Sequence, residues 1–408
     1  MRIGHISDLH FCPRYLEEVE RCTASALDTL LAASIDQMIV TGDGFDHQID
    51  ANQPAFLTLC RHLRGAADHV PVIYLQGTLS HDFPGTVAVF RLFGGRHPIH
   101  VSERIEQLAW DGERFTASAD WRFGEIPAGT RMLYTCLPSI NRGDIAAKLG
   151  VEATAMETRE VVAQLLRSFA AVNLQARERG IPTMVLSHGT VVGAITEHGV
   201  PMAGLDHEFS LDALFATEAS GIALGHIHKQ QTWLRNARTC GYAGSVGRLH
   251  FGEQGDKGGL LWEVDATTSS ALPFATPARR MVDIEFAGAP DMAELRQRVA
   301  EAQGAHVRII WSVDEEHRDA VDRHAIAALF EGAAEVKLDG RINPILRARS
   351  DGVSKLPDLA AQLDAWARAT NTDPSGLAER LARLQGESPE SIAASIVGEQ
   401  HTALEAAA

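Results

Sequence analysis

Acidic and imidazole side chains recur in five short segments that each follow a strand-like run of apolar residues. The segments are SDLH with Asp8 and His10, TGDGFD with Asp43 and Asp46, GTLSHD with Ser80, His81 and Asp82, LSHG with His188, and LGHIH with His226 and His228. Imidazole nitrogens and carboxylate oxygens together form a donor set that suits divalent transition ions. The pattern therefore predicts a centre for two divalent cations, most naturally Mn²⁺ with Zn²⁺ and Fe²⁺ as alternatives, of the kind that activates water for hydrolysis.

Each segment taken alone has a simpler structural explanation. An Asp and a His after a strand can be a capping residue and a surface residue, and a Gly-Asp pair is common in turns. The LGHIH segment is more specific, because alternation along an extended chain points His226 and His228 to the same side. The segments gain weight together, since the carboxyl ends of parallel strands meet at one edge of an α/β sheet.

The chain between these segments alternates strand-like and helix-like patterns. Strands are predicted at Ile3–Ser7, Gln37–Thr41, Val70–Leu75, Arg131–Cys136, Thr183–Ser187, Gly221–Leu224, Thr239–Ala243 and Gly259–Val264. Helices are predicted at Leu16–Ser34, Pro54–Arg64 and Ala155–Arg179. Short apolar strands between longer amphipathic helices are typical of an α/β fold. Because long helices are missing between the later strands, we expect a layered fold with a central mixed β-sheet.

The pattern changes twice in the last third of the chain. Alternation at Val282–Phe286 begins a β-α-β-α-β order with helices at Met292–Gln303 and Arg318–Phe330 and strands at Val307–Val313 and Glu335–Leu338. Leucines at helical spacing then predict short amphipathic helices. We expect a main domain at residues 1–277, a small α+β domain at 278–345 and a C-terminal helical region at 346–408.

The composition limits the class of protein. The chain has 408 residues, with 37 lysines and arginines against 53 aspartates and glutamates, which gives a formal net charge of −16. This acidic balance counts against nonspecific nucleic-acid binding, which basic surfaces usually carry. No apolar run reaches the roughly 18 residues of a membrane span, and no signal-peptide pattern opens the chain. Five scattered cysteines without a CxxC pair indicate reduced thiols, so we expect a cytoplasmic protein with no membrane role.

The order of the segments resembles that of the calcineurin-like metallophosphoesterases, which read DxH, GDxxD, GNHD, H and GHxH. The resemblance implies a first metal held by Asp8, His10, Asp43 and His228, and a second held by Asp43, His188 and His226. It also implies that residues 1–277 form the metallophosphoesterase domain. In that domain His81 would be the histidine that binds no metal and protonates the leaving oxygen.

The third segment departs from this family pattern. The family places an Asn oxygen on the second metal, whereas this chain reads GTLSHD with two added residues. We expect Ser80, directly before His81, to replace the Asn as a weaker ligand, and we leave Thr78 out of the ligand set. We expect Asp82 to assist catalysis by orienting the His81 imidazole.

Further segments are similar to the nuclease subunit of SbcCD-type break-repair complexes. They are GDGFD and the strand pair GYAGSVGRLHFGEQGDKGGLLWEV, followed by the small α+β domain and the terminal helices. This resemblance implies a Mn²⁺-dependent DNA exonuclease and endonuclease of DNA repair and recombination, in which a two-metal-activated water cleaves phosphodiesters and the α+β domain caps DNA. It also implies a SbcC-type coiled-coil ATPase partner for the C-terminal helices, and a homodimer through Pro54–Arg64 and Thr86–Phe93.

Two other functions stay open at this point. A small-molecule phosphodiesterase or phosphatase of the same superfamily would suit the acidic net charge. A noncatalytic metal-bearing scaffold would suit the altered third segment.

Several residues near the segments have no assigned chemistry. Arginines that could contact phosphates flank the segments, although a solvated surface role explains each one singly; they are Arg14, Arg91, Arg96, Arg142 and Arg248. His5 lies inside the first strand and is expected to be a hydrogen-bonded core residue.

Overall fold

The computed structural model describes residues 1–93, 95–139, 158–201, 208–344 and 352–396. The chain forms two compact units. The first comprises the described parts of Met1–Phe286, Pro290–Ile310 and Asp322–Asp339, and the second those of Ala287–Ala289, Trp311–Val321 and Gly340–Ala408. None of the described helices is both long enough and apolar enough to cross a membrane.

The strands are β1 (Arg2–Ile6), β2 (Gln37–Val40), β3 (Val72–Leu75), β4 (Ile99–Ser102), β5 (Glu106–Trp110), β6 (Phe115–Ala117), β7 (Met132–Leu137), β8 (Thr183–His188), β9 (Thr190–Val191), β10 (Glu208–Phe209), β11 (Gly221–Gly225), β12 (Gln231–Arg235), β13 (Arg238–Tyr242), β14 (Gly258–Val264), β15 (Ser269–Ala275), β16 (Met281–Phe286), β17 (His306–Asp314) and β18 (Glu335–Asn343). The α-helices are α1 (Leu16–Ala32), α2 (Pro54–Ala67), α3 (Thr158–Ser168), α4 (Ala170–Glu178), α5 (Leu211–Phe215), α6 (Met292–Ala302), α7 (Arg323–Leu329), α8 (Leu359–Thr370) and α9 (Ser375–Gly386).

Two sheets dominate the first unit. One has the strand order β15-β14-β1-β2-β3-β4, and the other has the order β12-β13-β11-β8-β7-β5-β6. The run from β1 to β4 is parallel, and so is the run β7-β8-β11-β13. Antiparallel strands border both runs. The structure thus confirms the predicted α/β fold with mixed sheets, and it divides the strands between two sheets.

The core lies in three layers around these sheets. Apolar residues of both sheets pack against one another in the middle layer, among them Ile39, Ile73, Tyr134 and Leu186. The other face of the first sheet is covered by α1 and α2, and that of the second sheet by α3 and α5. Every residue of β2, β3, β7 and β8 is buried. Burial on both faces explains why these strands are nearly continuous apolar runs.

Parallel strands bring the five chemical segments to one edge. Asp8 follows β1, Asp43 follows β2, and His81 follows β3 in the first sheet. In the second sheet His188 ends β8 and His226 follows β11. The carboxyl ends of parallel strands open at the same edge of a sheet, so the two sheets present these segments to a common site.

Several strands were missing from the sequence prediction. They are the two-residue strands β9 and β10 together with β4, β5, β6, β12 and β15. Among these, β4 and β5 carry charged or polar residues such as His100, Glu106 and Gln107. Glu106 and Gln107 are buried because they find hydrogen-bond partners in neighbouring elements. Such strands depend on tertiary packing and lack a clear apolar period. The predicted helix Ala155–Arg179 is divided into α3 and α4 at Phe169 in the described part of the chain, and residues 155–157 lie outside that part.

A small β-α-β-α-β module follows the two sheets. Its sheet has the order β16-β17-β18, with α6 and α7 in the connections. In β17 the residues Val307, Ile309, Trp311 and Val313 are buried and alternate with more exposed neighbours. The second predicted helix is shorter than expected, because Asp322 caps α7 through the Ala325 amide and a 3₁₀ turn precedes it.

Short amphipathic helices end the described chain. The carboxylate of Asp358 caps α8 by accepting from the Ala361 amide at 2.7 Å. Leu359 on α8 and Leu377 and Leu384 on α9 are exposed. Residues 346–351 and 397–408 of the predicted C-terminal region lie outside the described chain.

Candidate metal centre

The first group of donors joins the ends of β1 and β11. Asp8, His10 and His228 each offer one ligand atom, and these atoms lie within 4.8 Å of one another. The Nε2 atoms of His10 and His228 face each other at 2.9 Å. Two imidazole nitrogens and a carboxylate that point at one spot form the donor set of a divalent cation.

The second group joins the ends of β2, β8 and β11. Asp43, His188 and His226 again offer ligand atoms within 4.8 Å of one another. The Asp43 Oδ2 lies 3.2 Å from His188 Nε2. His188 Nδ1 is 2.7 Å from the carbonyl oxygen of Thr41, to which it donates. This bond fixes the tautomer and leaves Nε2 free to act as a ligand.

The backbone at these donors is strained. Asp8, His10 and Asp43 have φ values of 51°, 51° and 52°, and His226 has a φ of 101°. Positive φ is uncommon outside glycine and costs on the order of 1–3 kcal/mol per residue. Hydrogen bonds hold two of these turns, from the Asp8 amide to Gly42 at 3.1 Å and from the His10 amide to Asp43 at 3.0 Å. Strain at four of the six donors marks this edge as a functional site.

Close approach of the strand ends links the two groups. The His226 amide donates to both carboxylate oxygens of Asp8, at 3.0 and 3.1 Å. A Cβ atom at Gly225 would overlap the Thr41 carbonyl and the Ser7 hydroxyl, so β11 lies directly against the turn after β2. Only glycine permits this approach. The two groups are therefore parts of one centre.

Burial and the proximity of like groups set the charges at the centre. Burial raises the pKa of Asp8 to about 7, and the Asp43 carboxylate adds to this rise. Burial lowers the pKa of His10 to about 4. Burial alone would raise the pKa of Asp43 and lower that of His188. Their mutual attraction reverses both effects, so the Asp43 pKa falls below its usual range and the His188 pKa rises to about 9.

The shifts at the first group describe a place that lacks positive charge. The buried Asp8 carboxylate resists ionisation and the buried His10 imidazole stays neutral, so both gain from a bound cation. The Nδ1 atoms of His10 and His228 have no hydrogen-bond partner within the described chain. The donor set, its burial and its charge therefore fit two divalent cations.

His81 lies beside the first group without joining it. Its ring meets the His10 ring edge-on, with centroids 5.0 Å apart. Its Nδ1 bonds to the backbone carbonyl of Asp46 at 2.5 Å. This bond orients the imidazole and leaves Nε2 as the nitrogen available for proton transfer.

The predicted role of Asp82 is wrong. Its carboxylate does not orient His81, whose partner is the Asp46 carbonyl. Instead it accepts from the amides of Asp43, Gly44 and Gly77, at 3.0, 3.0 and 2.9 Å, and from the hydroxyl of Tyr74 at 2.9–3.0 Å. Asp82 thus ties the turn after β2 to the turn after β3. A carboxylate buried at a junction of loops must collect donors, and the backbone amides there supply them.

The predicted ligand Ser80 is not the residue of its turn that lies closest to the donor groups. Ser80 is exposed, and the hydroxyl next to the second group belongs to Thr78. The two added residues, Leu79 and Ser80, extend toward solvent. Counting forward from the end of β3, where Gly77 begins the turn, leads to Thr78, whereas counting back from His81 leads to Ser80.

The sequence prediction missed the buried support of the first group. Lys257 Nζ lies 3.1 Å from the His228 carbonyl, 3.0 Å from Ser245 Oγ and 2.5 Å from a Glu253 carboxylate oxygen. The side chains of Lys257 and Glu253 are both 0% exposed. Glu253 also accepts from the Leu249 and His250 amides, at 3.2 and 2.7 Å. The signal was an acid and a lysine four residues apart within the FGEQGDKG segment.

The flanking arginines have mostly structural partners. The guanidinium of Arg248 donates to backbone carbonyls, and that of Arg91 pairs with Glu103 at 2.8 Å. Arg14 lies over the ring of Tyr15. Arg96 is exposed, and Arg142 lies outside the described chain.

His5 is the core residue that its place in a strand predicted. It is fully buried and bonds through Nε2 to the Thr41 hydroxyl at 2.8 Å. Its Nδ1 accepts from the Trp262 indole at 3.3 Å.

Comparisons with known proteins place this centre in a family. The model of the calcineurin-like phosphoesterases matches residues 1–230. No curated protein matches the chain. One similar solved structure is titled GAP50, the anchor in the inner membrane complex of Plasmodium. It is 10% identical, covers 67% of this chain and 84% of that chain, and has a TM-score of 0.40. The family match spans more than half of the chain and all of the donor segments, so the chain belongs to the calcineurin-like phosphoesterases, metal-dependent hydrolases of phosphoesters.

Proposed function

We propose that this protein is a Mn²⁺-dependent DNA phosphodiesterase that acts as an exonuclease and endonuclease in DNA repair or end processing. The observation that carries the phosphodiesterase part is the position of His81. It lies against His10 of the first donor group, is held by a backbone carbonyl, and belongs to neither group. A phosphodiester with a sugar leaving group needs a proton donor there, because an alkoxide leaves poorly.

The chain's own groups divide the work. Asp8, His10 and His228 would hold one cation, and Asp43, His188 and His226 the other. Two bound cations supply Lewis acidity toward the phosphoryl oxygens and lower the pKa of water. His81 would then hold a proton on Nε2 and pass it to the departing oxygen. Asp46 keeps that nitrogen aimed outward by accepting from Nδ1.

The choice of DNA rests on the sequence beyond the centre. The FGEQGDKG segment and the β-α-β-α-β module are the features that resemble SbcD-type nucleases. In the same proposal the C-terminal helices, with exposed Leu359, Leu377 and Leu384, bind a SbcC-type coiled-coil ATPase in the cytoplasm. A homodimer would form through α2 and the 3₁₀ helix Val87–Leu92, which carry exposed Leu57 and Leu92.

A second candidate is a phosphodiesterase or phosphatase for small molecules. The observation in its favour is the formal net charge of −16, which opposes long-range attraction of a polyanion. Such an enzyme would use the same centre and the same acid. The two candidates therefore differ in substrate and share their chemistry.

One assay separates the candidates. The protein is incubated with Mn²⁺ and linear, hairpin or circular single-stranded DNA, and in parallel with bis-(p-nitrophenyl) phosphate. Degradation of DNA supports the proposal, and turnover of the small diester alone supports the second candidate. Asp43→Ala, purified in the same way, is the control for contaminating nucleases, and equal DNA degradation by this variant would contradict the proposal.

A further inference from the structure

The turn after β3 brings a hydroxyl to the second donor group. We propose that Thr78 Oγ1 is the fourth protein donor to the cation held by Asp43, His188 and His226. The inference depends on the metal centre of the proposed function and is independent of the substrate. Threonine is a less common metal ligand than His, Cys, Asp or Glu, and its hydroxyl oxygen can still bind a cation.

Three atoms form a nearly equilateral triangle at this point. Thr78 Oγ1 lies 3.2 Å from His188 Nε2 and 3.3 Å from Asp43 Oδ2. Asp43 Oδ2 lies 3.2 Å from His188 Nε2. Bonds of about 2.1 Å place neighbouring octahedral donors about 3.0 Å apart and tetrahedral donors about 3.4 Å apart. The triangle therefore has the size of one face of a coordination shell.

A hydrogen bond behind the triangle fixes the orientation of the His188 ring. Its Nδ1 donates to the Thr41 carbonyl oxygen at 2.7 Å, so Nε2 is the ring nitrogen that faces Thr78 Oγ1 and Asp43 Oδ2. A cation at the triangle would be bound by all three atoms together.

The turn holds Thr78 in place through its backbone. The Thr78 amide donates to Asp43 Oδ1 at 2.6 Å, and the Gly77 amide donates to Asp82 at 2.9 Å. A Cβ atom at Gly77 would overlap Asp43, so only glycine allows the turn to come this close. The added residues Leu79 and Ser80 extend toward solvent and leave Thr78 undisturbed.

Mn²⁺ binding to the full chain tests the proposal without any substrate. Bound Mn²⁺ is counted by elemental analysis after equilibrium dialysis against a series of free Mn²⁺ concentrations. Thr78→Val removes the hydroxyl at nearly constant volume, and we expect one of the two ions to bind about tenfold more weakly. Thr78→Ser retains the hydroxyl and should bind both ions as the wild type does. Ser80→Ala is the matched control on the same turn and should also bind both ions.

The outcomes separate this inference from the proposed function. Unchanged binding of both ions by Thr78→Val would overturn it, and so would an equal loss in Ser80→Ala. Loss of both ions in Thr78→Val would assign Thr78 to general support of the centre and would also overturn it. Retention of one ion at wild-type affinity shows that the variant is folded. If the wild type binds two Mn²⁺ and cleaves no DNA, the proposed function fails while the ligand assignment stands.

Discussion

The two donor groups are built from the same residue types and are held by different means. In the first group Asp8 and His10 both have left-handed backbone, and the Nδ1 atoms of His10 and His228 lack hydrogen-bond partners within the described chain. In the second group hydrogen bonds to Thr41 and Thr78 fix His188 and Asp43. Asp43 and His226 of the second group also have left-handed backbone. Both groups thus share strained backbone, and the second group adds hydrogen bonds that fix its His188 imidazole and its Asp43 carboxylate.

Different buried polar residues outside the centre support the two groups. Lys257 supports the first group through the His228 carbonyl. Asp82 supports the second group through the amides of Asp43 and Gly77. Donors that must face one another without a cation are costly to bury, so each group needs a rigid frame. The comparison teaches that equal donor sets can differ in which mutations weaken them.

The largest effect is expected from removing the Asp43 carboxylate. Asp43→Ala should lose at least one Mn²⁺ and reduce phosphodiester hydrolysis below detection. The carboxylate serves the second group and its backbone carbonyl accepts from the His10 amide of the first. Dialysis with elemental analysis and hydrolysis of bis-(p-nitrophenyl) phosphate measure both effects. Exposed Asp50→Ala is the control, and wild-type turnover by Asp43→Ala would refute the assignment.

Replacing His81 tests whether this residue donates a proton without binding either cation. His81→Asn should bind Mn²⁺ like the wild type and lose about 10²- to 10⁴-fold in DNA hydrolysis, because the acid is removed. The loss on bis-(p-nitrophenyl) phosphate should be much smaller, since nitrophenolate leaves without a proton. Rates on the two substrates measure the difference. Equal losses on both would argue against an acid role.

Replacing Lys257 tests the buried support of the first group. Lys257→Met leaves the Glu253 carboxylate buried without its cation, which should lower the free energy of unfolding by about 3–5 kcal/mol. The first cation should be weakened more than the second, because only the first group contacts Lys257 through His228. Urea unfolding and Mn²⁺ dialysis measure the two effects. The exposed Lys355→Met should change neither, and equal weakening of both cations would contradict the division of support.

The smallest effect is expected in the pH dependence of the free energy of unfolding. Its source is the buried His5, which bonds to the Thr41 hydroxyl. Burial lowers the pKa of His5 to about 3 from its usual 6.5. The stability from keeping this ring neutral is fully present above pH 6.5 and is lost as the pH falls toward 3. The loss between pH 6.5 and 5 is about 2 kcal/mol for this residue.

Urea unfolding of the wild type and His5→Gln over that pH range measures the effect. The difference in slope between the two proteins isolates His5 from the other buried histidines. The variant should show the shallower dependence. Identical slopes would show that His5 is not the source.

The sequence anticipated the strands that are continuous apolar runs and missed strands that carry charged or polar residues. β2, β3 and β8 were found for the first reason. β5 was missed although every residue in it is buried, because it begins with Glu106 and Gln107, and β15 was missed because several of its residues are exposed. The helix Arg318–Phe330 was predicted too long, since helical spacing does not reveal that Asp322 caps its start. Apolar runs in the sequence predict buried strands well, whereas the sequence pattern does not predict the hydrogen-bond partners of polar residues.

The sequence by itself determined the donor types, their order and their place after parallel strands, because these follow from local chemistry and from the periodicity of the chain. Only the tertiary structure decided which hydroxyl faces the second group and what Asp82 binds. Thr78 and Ser80 are both short alcohols on one turn, and the close approach of Gly77 to Asp43 selects Thr78. Asp82 turns to the backbone amides of another strand end, at Asp43 and Gly44. Contacts between residues about 40 positions apart depend on the path of the chain, and no short-range pattern encodes them.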